Sequence, residues 1–124
     1  MSKPSTLPPS LRNSTRYIAF EIISEKPIEY RDVSNALWVS SLNFLGDLGA
    51  SETKTWPIKN LYNADKQRGI IRCNQKRVED VRAVLSLIDY MNDSKAIVNV
   101  LGVTGTIKSA KKKYLKMSNL EDFS

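Results

Sequence analysis

The stretch that decides the fold runs from Gly69 to Val103 and reads GIIRCNQKRVEDVRAVLSLIDYMNDSKAIVNVLGV. It opens on Gly69-Ile70-Ile71-Arg72-Cys73, a short β-branched run that predicts a strand. The period then changes. Val78, Val81, Val84, Leu85, Ile88 and Met91 make one broad apolar stripe, which predicts a helix over Arg77–Met91 with Asn74 as its N-cap. From Lys95 to Val103 the period returns to two, with Ile97, Leu101 and Val103 on one side and Val98 and Val100 on the other. Strand, helix, strand is one half of a small α+β domain.

Working outward, the other half has the same form. Tyr17–Ile23 places Ile18, Phe20 and Ile22 on one face of a strand that Pro27 closes. Tyr30–Leu48 predicts a helix with Val33, Leu37, Ser40, Phe44 and Leu48 on one stripe and Gly49 as its stop. Glu52–Asn60, with Trp56 and Ile58, reads as a strand, and Pro57 confines it to an edge or a bulge. The turn-like Asn63-Ala64-Asp65 joins it to Gly69–Cys73, making the two strands antiparallel neighbours. After the last strand, Thr106 to about Met117 predicts a basic amphipathic helix, with Ile107, Ala110, Tyr114 and Met117 on one face and Lys108, Lys112 and Lys116 on another. The order β-α-β-β-α-β plus a terminal helix is the ferredoxin-like plan: a four-stranded antiparallel sheet, helices on one face, strands one and three at the centre. Residues 1–15, rich in Pro and Ser, read as an arm, 16–117 as the domain and 118–124 as a tail.

Composition bounds the chemistry. The chain has 124 residues, 41% of them apolar, enough for one domain with its own core. Its longest unbroken apolar run, Ala36–Val39, is far short of a membrane span, and the N-terminal residues do not read as a secretory signal, so a soluble, cytoplasmic protein is expected. There is no histidine, which excludes Ser-His-Asp and Cys-His nucleophile systems and His-ligated zinc. The single Cys73 makes neither an intramolecular disulfide nor a thiolate metal cage, and it reads as a small core residue. No catalytic residue and no metal ligand is expected on the chain. The inventory favours binding over chemistry.

The net charge of +6 is unevenly placed. Lys66–Arg77 and Gly105–Ser118 together carry +10 and no acid, whereas the rest of the chain sums to −4. Cations clustered in this way suit a polyanion, because each phosphate contact releases condensed counterions. Ordinary solvated faces or a flexible basic tail would show the same runs.

Several motifs can be tested against the chemistry they imitate. An RNA recognition motif needs stacking rings on its central strands, and Arg68-Gly69-Ile70-Ile71-Arg72-Cys73 has Ile there, so base stacking on this sheet is not expected. Tyr17 and Phe20 read as edge and core residues. Gly102–Ser109 lacks the Gly-Lys step of a phosphate-cradling loop, which argues against nucleotide hydrolysis. A weaker reading keeps Thr104, Gly105 and Thr106 as a strand end, turn and cap that face an RNA phosphate beside Lys108 and Lys111; a turn and cap without a ligand fits equally well. Glu79 and Asp80 suit the N-terminus of the second helix. Trp38, Leu42 and Leu45 form an extra apolar flank on the first helix, which the arm, the terminal helix or a protein partner would cover.

With these residues laid out, the chain resembles the small ferredoxin-like protein subunit of archaeal and eukaryotic ribonuclease P, the protein component 2 family. The matching pieces are Arg16-Tyr17 before Phe20-Glu21-Ile22, Leu45–Ala50 followed by Trp56, Arg68–Cys73, Val81-Arg82-Ala83, and Val100–Lys108 running into Ala110–Leu115. The resemblance spans about residues 16–116. It implies a subunit that binds and stabilises the catalytic RNA for removal of 5′ leaders from precursor tRNA, with cleavage performed by the RNA and its bound magnesium. Under it, Arg16, Arg68, Arg72, Lys76, Arg77, Thr104, Gly105, Thr106, Lys108, Lys111, Lys112, Lys113 and Lys116 are the expected RNA contacts. It also implies a TIM-barrel-like protein partner in a complex built on two copies of each chain, which would cover Trp38, Leu42 and Leu45. The alternative from another class is a protein-interaction module of the same fold whose basic segments bind an acidic partner.

Overall fold

The computed structural model describes residues 15–52 and 56–115. The predicted arm up to residue 14, Lys116, Met117 and the 118–124 tail lie outside the described residues.

The elements are β1 (Thr15–Ser24), α1 (Tyr30–Glu52), β2 (Trp56–Pro57), β3 (Arg68–Asn74), α2 (Val78–Ser86), β4 (Tyr90–Met91), β5 (Ser94–Thr104) and α3 (Ile107–Ala110), which widens into a π-helical turn over Lys111–Leu115. The strands form one antiparallel sheet in the order β2-β3-β1-β5-β4. β1 and β3 lie inside it, as the ferredoxin-like plan requires, and β4 is a short addition at the edge. The alternation of β1 puts Ile18, Phe20 and Ile22 on the face that α1 and α2 cover. There they join Ile71, Cys73, Val98, Val33, Leu37, Val81, Val84 and Leu85 in the main core. Burial pushes the Cys73 thiol up to about 11, as befits an inert core residue. The opposite face carries a smaller apolar cluster of Leu61, Ile70 and Ala110, with Tyr17 and Ile58 packed on it. The terminal segment therefore closes part of the face that the helices leave bare.

Gly69 shows why the Arg-Gly start of β3 is needed. A Cβ there would lie 2.8 Å from Phe20 Cζ and 3.0 Å from Tyr62 Cδ1. These two rings stack with centroids 6.3 Å apart. The Tyr62 hydroxyl donates to Ile28 O at 2.7 Å, and burial, reinforced by the Glu29 and Asp32 charges, pushes its pKa up to about 12.

The structure corrects several expected boundaries. α2 ends at Ser86 rather than Met91. Ile88 and Met91 are buried as the stripe predicted, but Met91 belongs to β4. Asn92 and Asp93 take positive φ angles of 52° and 58°, which turns the chain in a tight hairpin. Asn74 caps a 3₁₀ turn, Gln75–Arg77, rather than α2 itself. Of the expected strand Glu52–Asn60, Glu52 belongs to α1, residues 53–55 lie outside the described residues, Trp56–Pro57 pair at the sheet edge, and a 3₁₀ turn follows over Lys59–Leu61. Pro57 supplies no N–H to a ladder, which suits the edge position it takes. α1 does not stop at Gly49. It breaks at Gly46, with φ 76° and ψ 176°, and resumes to Glu52. Val33 and Leu37 of its predicted stripe are buried, whereas Phe44 and Leu48 near the break are exposed.

β5 departs from simple alternation. Its register with β1 shifts between Ala19 and Phe20, so Phe20 pairs with Val100 but Ala19 pairs with Gly102. The extra residue, Leu101, turns Val103 onto the core face beside Val98 and Val100, and separates it from Ile97, which is 59% exposed.

Candidate nucleic-acid interface

The sheet register decides which predicted cations meet. Thr15 lies opposite Asn74, and Tyr17 lies opposite both Arg72 and Thr104. The start of β1 and the ends of β3 and β5 therefore share one end of the sheet. Arg16, Lys76, Arg77 and the segment from Gly105 to Lys113 gather there although they come from three parts of the chain. Arg72, exposed, lies on the uncovered face one row in, between Trp56 on β2 and Tyr17 on β1.

The register also separates residues the charge windows had joined. Arg68 opposes Glu21, six residues from the Thr15–Asn74 pair, roughly 20 Å along the strands. Its Nε donates to Glu21 Oε2 at 3.0 Å, so that charge is already matched. Lys66 lies beyond it. Arg77 is half-buried and ion-paired to Asp80 at 3.2 Å, next to Gly49 of α1. Arg16 Nη1 donates to Thr15 O at 2.8 Å. Of the expected RNA contacts, the exposed cations are Arg72, Lys76, Lys108, Lys112 and Lys113, with Lys111 half-buried. Lys116 lies outside the described residues.

The terminal segment is held from beneath. Ala110 is fully buried, and a Cβ on Gly102 would collide with the Tyr114 ring and hydroxyl, so that ring lies against the strand. The Thr106 hydroxyl accepts from Ser109 N at 3.1 Å, the expected cap. Thr104 is buried and its hydroxyl donates to Thr106 O at 2.8 Å, leaving it little to offer a ligand. With α3 only four residues long, a phosphate here would be met by lysine side chains rather than by a helix terminus. The sequence reading left out Lys59, exposed on the turn whose Leu61 packs with Ala110. It stands ahead of both basic windows and apart from them, so no run marked it.

The expected protein-facing flank divides. Trp38 is 54% exposed, and Leu42 and Leu45 are both half-buried, Leu45 packing against the main core. A second apolar surface was not foreseen: an open cleft of about 400 Å³ between α1 and β4, lined by Val39, Phe44, Leu87 and Tyr90 with Asp89. Leu87 and Tyr90 fall within the helix expected over Arg77–Met91, which ends before them at Ser86. Among the described residues no group of His, Cys, Asp or Glu could hold a metal ion, and no helix is long and apolar enough to cross a membrane.

Comparison with known proteins bears on the family and the fold. The model of the Rpp14/Pop5 family matches residues 16–115. A protein of Thermococcus gammatolerans named ribonuclease P protein component 2 is 46% identical over 113 residues, covering 91% of this chain and 92% of its own. One of the same name from Archaeoglobus fulgidus is 40% identical over 111 residues, covering 90% and 97%. A chain in the cryo-EM structure of yeast ribonuclease MRP superposes with a TM-score of 0.62 at 14% identity, covering 76% of each chain, and so shares the fold.

Proposed function

The chain belongs to the Rpp14/Pop5 family, and on that premise we propose that it works as a protein subunit of ribonuclease P, serving removal of 5′ leaders from precursor tRNA. It is part of an endoribonuclease complex and holds no catalytic group of its own; the RNA, with its bound magnesium, cleaves. The observation that carries this reading is the meeting of Arg16, Lys76 and the Lys108–Lys113 segment at one end of the sheet. That cluster, with Arg72, contacts phosphates of the ribonuclease P RNA. Neutralising phosphates there lowers repulsion within the folded RNA and so reduces the magnesium it needs. Lys111 extends the same contact, Gly105 and Thr106 give it its turn, and Lys116, outside the described residues, is proposed as a further RNA contact. Arg68 and Arg77 hold the sheet and α2 instead.

The remaining assignments follow from this one. A TIM-barrel-like ribonuclease P subunit docks on the apolar surface of α1 around Trp38 and Leu42, and two copies of each protein form the complex, in the cytoplasm. The test is reconstitution: ribonuclease P RNA and precursor tRNA are incubated with and without the partner subunit and this chain across a magnesium series. The proposal expects 5′-leader cleavage at lower magnesium when the chain is present. Cleavage by the protein alone, or no change in the magnesium requirement, would overturn it. Selective binding to an acidic protein over structured RNA would favour the interaction-module alternative.

A further inference from the structure

We propose that Glu121 and Asp122 fold back onto the lysines of their own terminal segment, an autoinhibitory contact that a folded RNA must displace. The contact itself rests on charge and reach; its competition with RNA rests on the reading above. The cluster is short of counter-charge. Lys76, Lys108, Lys112 and Lys113 are exposed, and among the described residues none of them, nor Lys111, is ion-paired. Lys108 stands three residues from Lys111 and four from Lys112, spacings at which like charges meet and repel on a helix. On α2, which starts beside the cluster, Asp80 and Glu79 are taken by Arg77 and Arg82.

The next acids along the chain are the ones that can answer this charge. The sequence has no Asp or Glu between Asp93 and Glu121, and then two adjacent ones, following a run with four lysines in residues 108–113. Both belong to the tail outside the described residues, but the point from which that tail departs is fixed. Tyr114 lies against Gly102, so the chain leaves the domain beside the cluster. Asp122 is eight residues further on, a length that spans at most about 28 Å, whereas the helical path from Lys108 to Tyr114 covers only about 9 Å. The whole lysine run is within reach, and so short a tether holds the two carboxylates there at an effective concentration of the order of millimolar. Ile107, 38% exposed beside Lys108, offers an apolar contact to Phe123, the residue after the two acids. Exposed ion pairs are individually weak, so an RNA that presents several phosphates at once displaces the tail. A ligand that makes one or two contacts does not. The tail thereby favours a folded polyanion over a short one.

The test compares three proteins by anisotropy with ribonuclease P RNA: wild type, Glu121→Gln with Asp122→Asn, and Glu25→Gln with Asp93→Asn. The last removes the same charge from two exposed acids at the other end of the sheet. At about 50 mM KCl the tail variant should bind about threefold tighter than wild type, the control should match wild type, and the difference should fade by about 300 mM. Contact is read directly by zero-length carbodiimide coupling of the free protein, as a mixture of isotope-labelled and unlabelled chains. Glu121 or Asp122 should join Lys76, Lys108 or Lys112 of the same chain, and RNA should suppress the link. Absence of the link, or a link only between differently labelled chains, overturns the proposal; if replacing Lys108, Lys112 and Lys113 by Ala still flattens the salt dependence, the RNA reading stands. A link with no gain in RNA affinity overturns the autoinhibition, and an unchanged salt dependence in that lysine variant brings down the RNA reading with it.

Discussion

Replacing Lys108, Lys112 and Lys113 together by Ala removes three exposed cations from the terminal segment and leaves its buried anchors, Ala110 and Tyr114, in place. Each lysine that meets a phosphate contributes about 0.7–0.9 to the slope of log affinity against log salt, so the triple variant should lose roughly 2–3 units of slope. Over a fall from 200 mM to 50 mM KCl, the wild-type chain should then gain about 30-fold more affinity than the variant. The assay is fluorescence anisotropy with ribonuclease P RNA at a series of salt concentrations. Arg68→Ala is the control, because Arg68 is matched by Glu21 and lies at the other end of the sheet; its slope should stay at the wild-type value. The triple variant should keep its melting temperature within about 4 °C, since surface changes rarely exceed 0.5 kcal/mol. Parallel salt lines for wild type and triple variant, or an equal fall in Arg68→Ala, would refute the placement of the RNA contact.

Other outcomes follow from the packing. Gly69→Ala forces a methyl against the Phe20 and Tyr62 rings and should lower stability by about 1–3 kcal/mol in urea unfolding. Gly46→Ala meets no neighbour, yet its φ of 76° with ψ of 176° lies where side chains are strained, so a loss of about 1–3 kcal/mol is expected from backbone alone. For Tyr62 the folded pKa, about 12, lies above the ordinary tyrosine value of 10.0, so its contribution is fully present below pH 10 and is lost as pH rises toward 12. Tyr62→Phe should flatten that alkaline loss while costing about 1 kcal/mol at neutral pH, readable by denaturation at pH 7 and pH 11.

What sequence could and could not show follows from the range of the forces involved. The β1, β3 and β5 runs were legible because alternation is local and β-branched residues mark it. The end of α2 was not, because Ile88 and Met91 are apolar at helical spacing and only the backbone at Asn92 and Asp93 decides for a hairpin. The bulge at Leu101 reversed the expected partners of Val103, since register is a property of two strands rather than one. The basic windows were visible in composition, but their division was not. Strand direction sends Lys76 to the terminal segment and leaves Arg68 some 20 Å away beside Glu21, and no count of charges contains that distance.

The anchoring of the terminal segment has a thermodynamic consequence for recognition. Ordering one residue of backbone costs about 1–2 kcal/mol, and a basic tail that ordered only on contact would have to meet that cost out of its attraction to phosphate. In this chain Ala110 beneath and Tyr114 against Gly102 have met it on folding. The lysines are thus presented pre-ordered, and more of their attraction appears as affinity. Under the proposed RNA contact, small apolar contacts that touch no nucleotide would therefore set how tightly the charges above them hold.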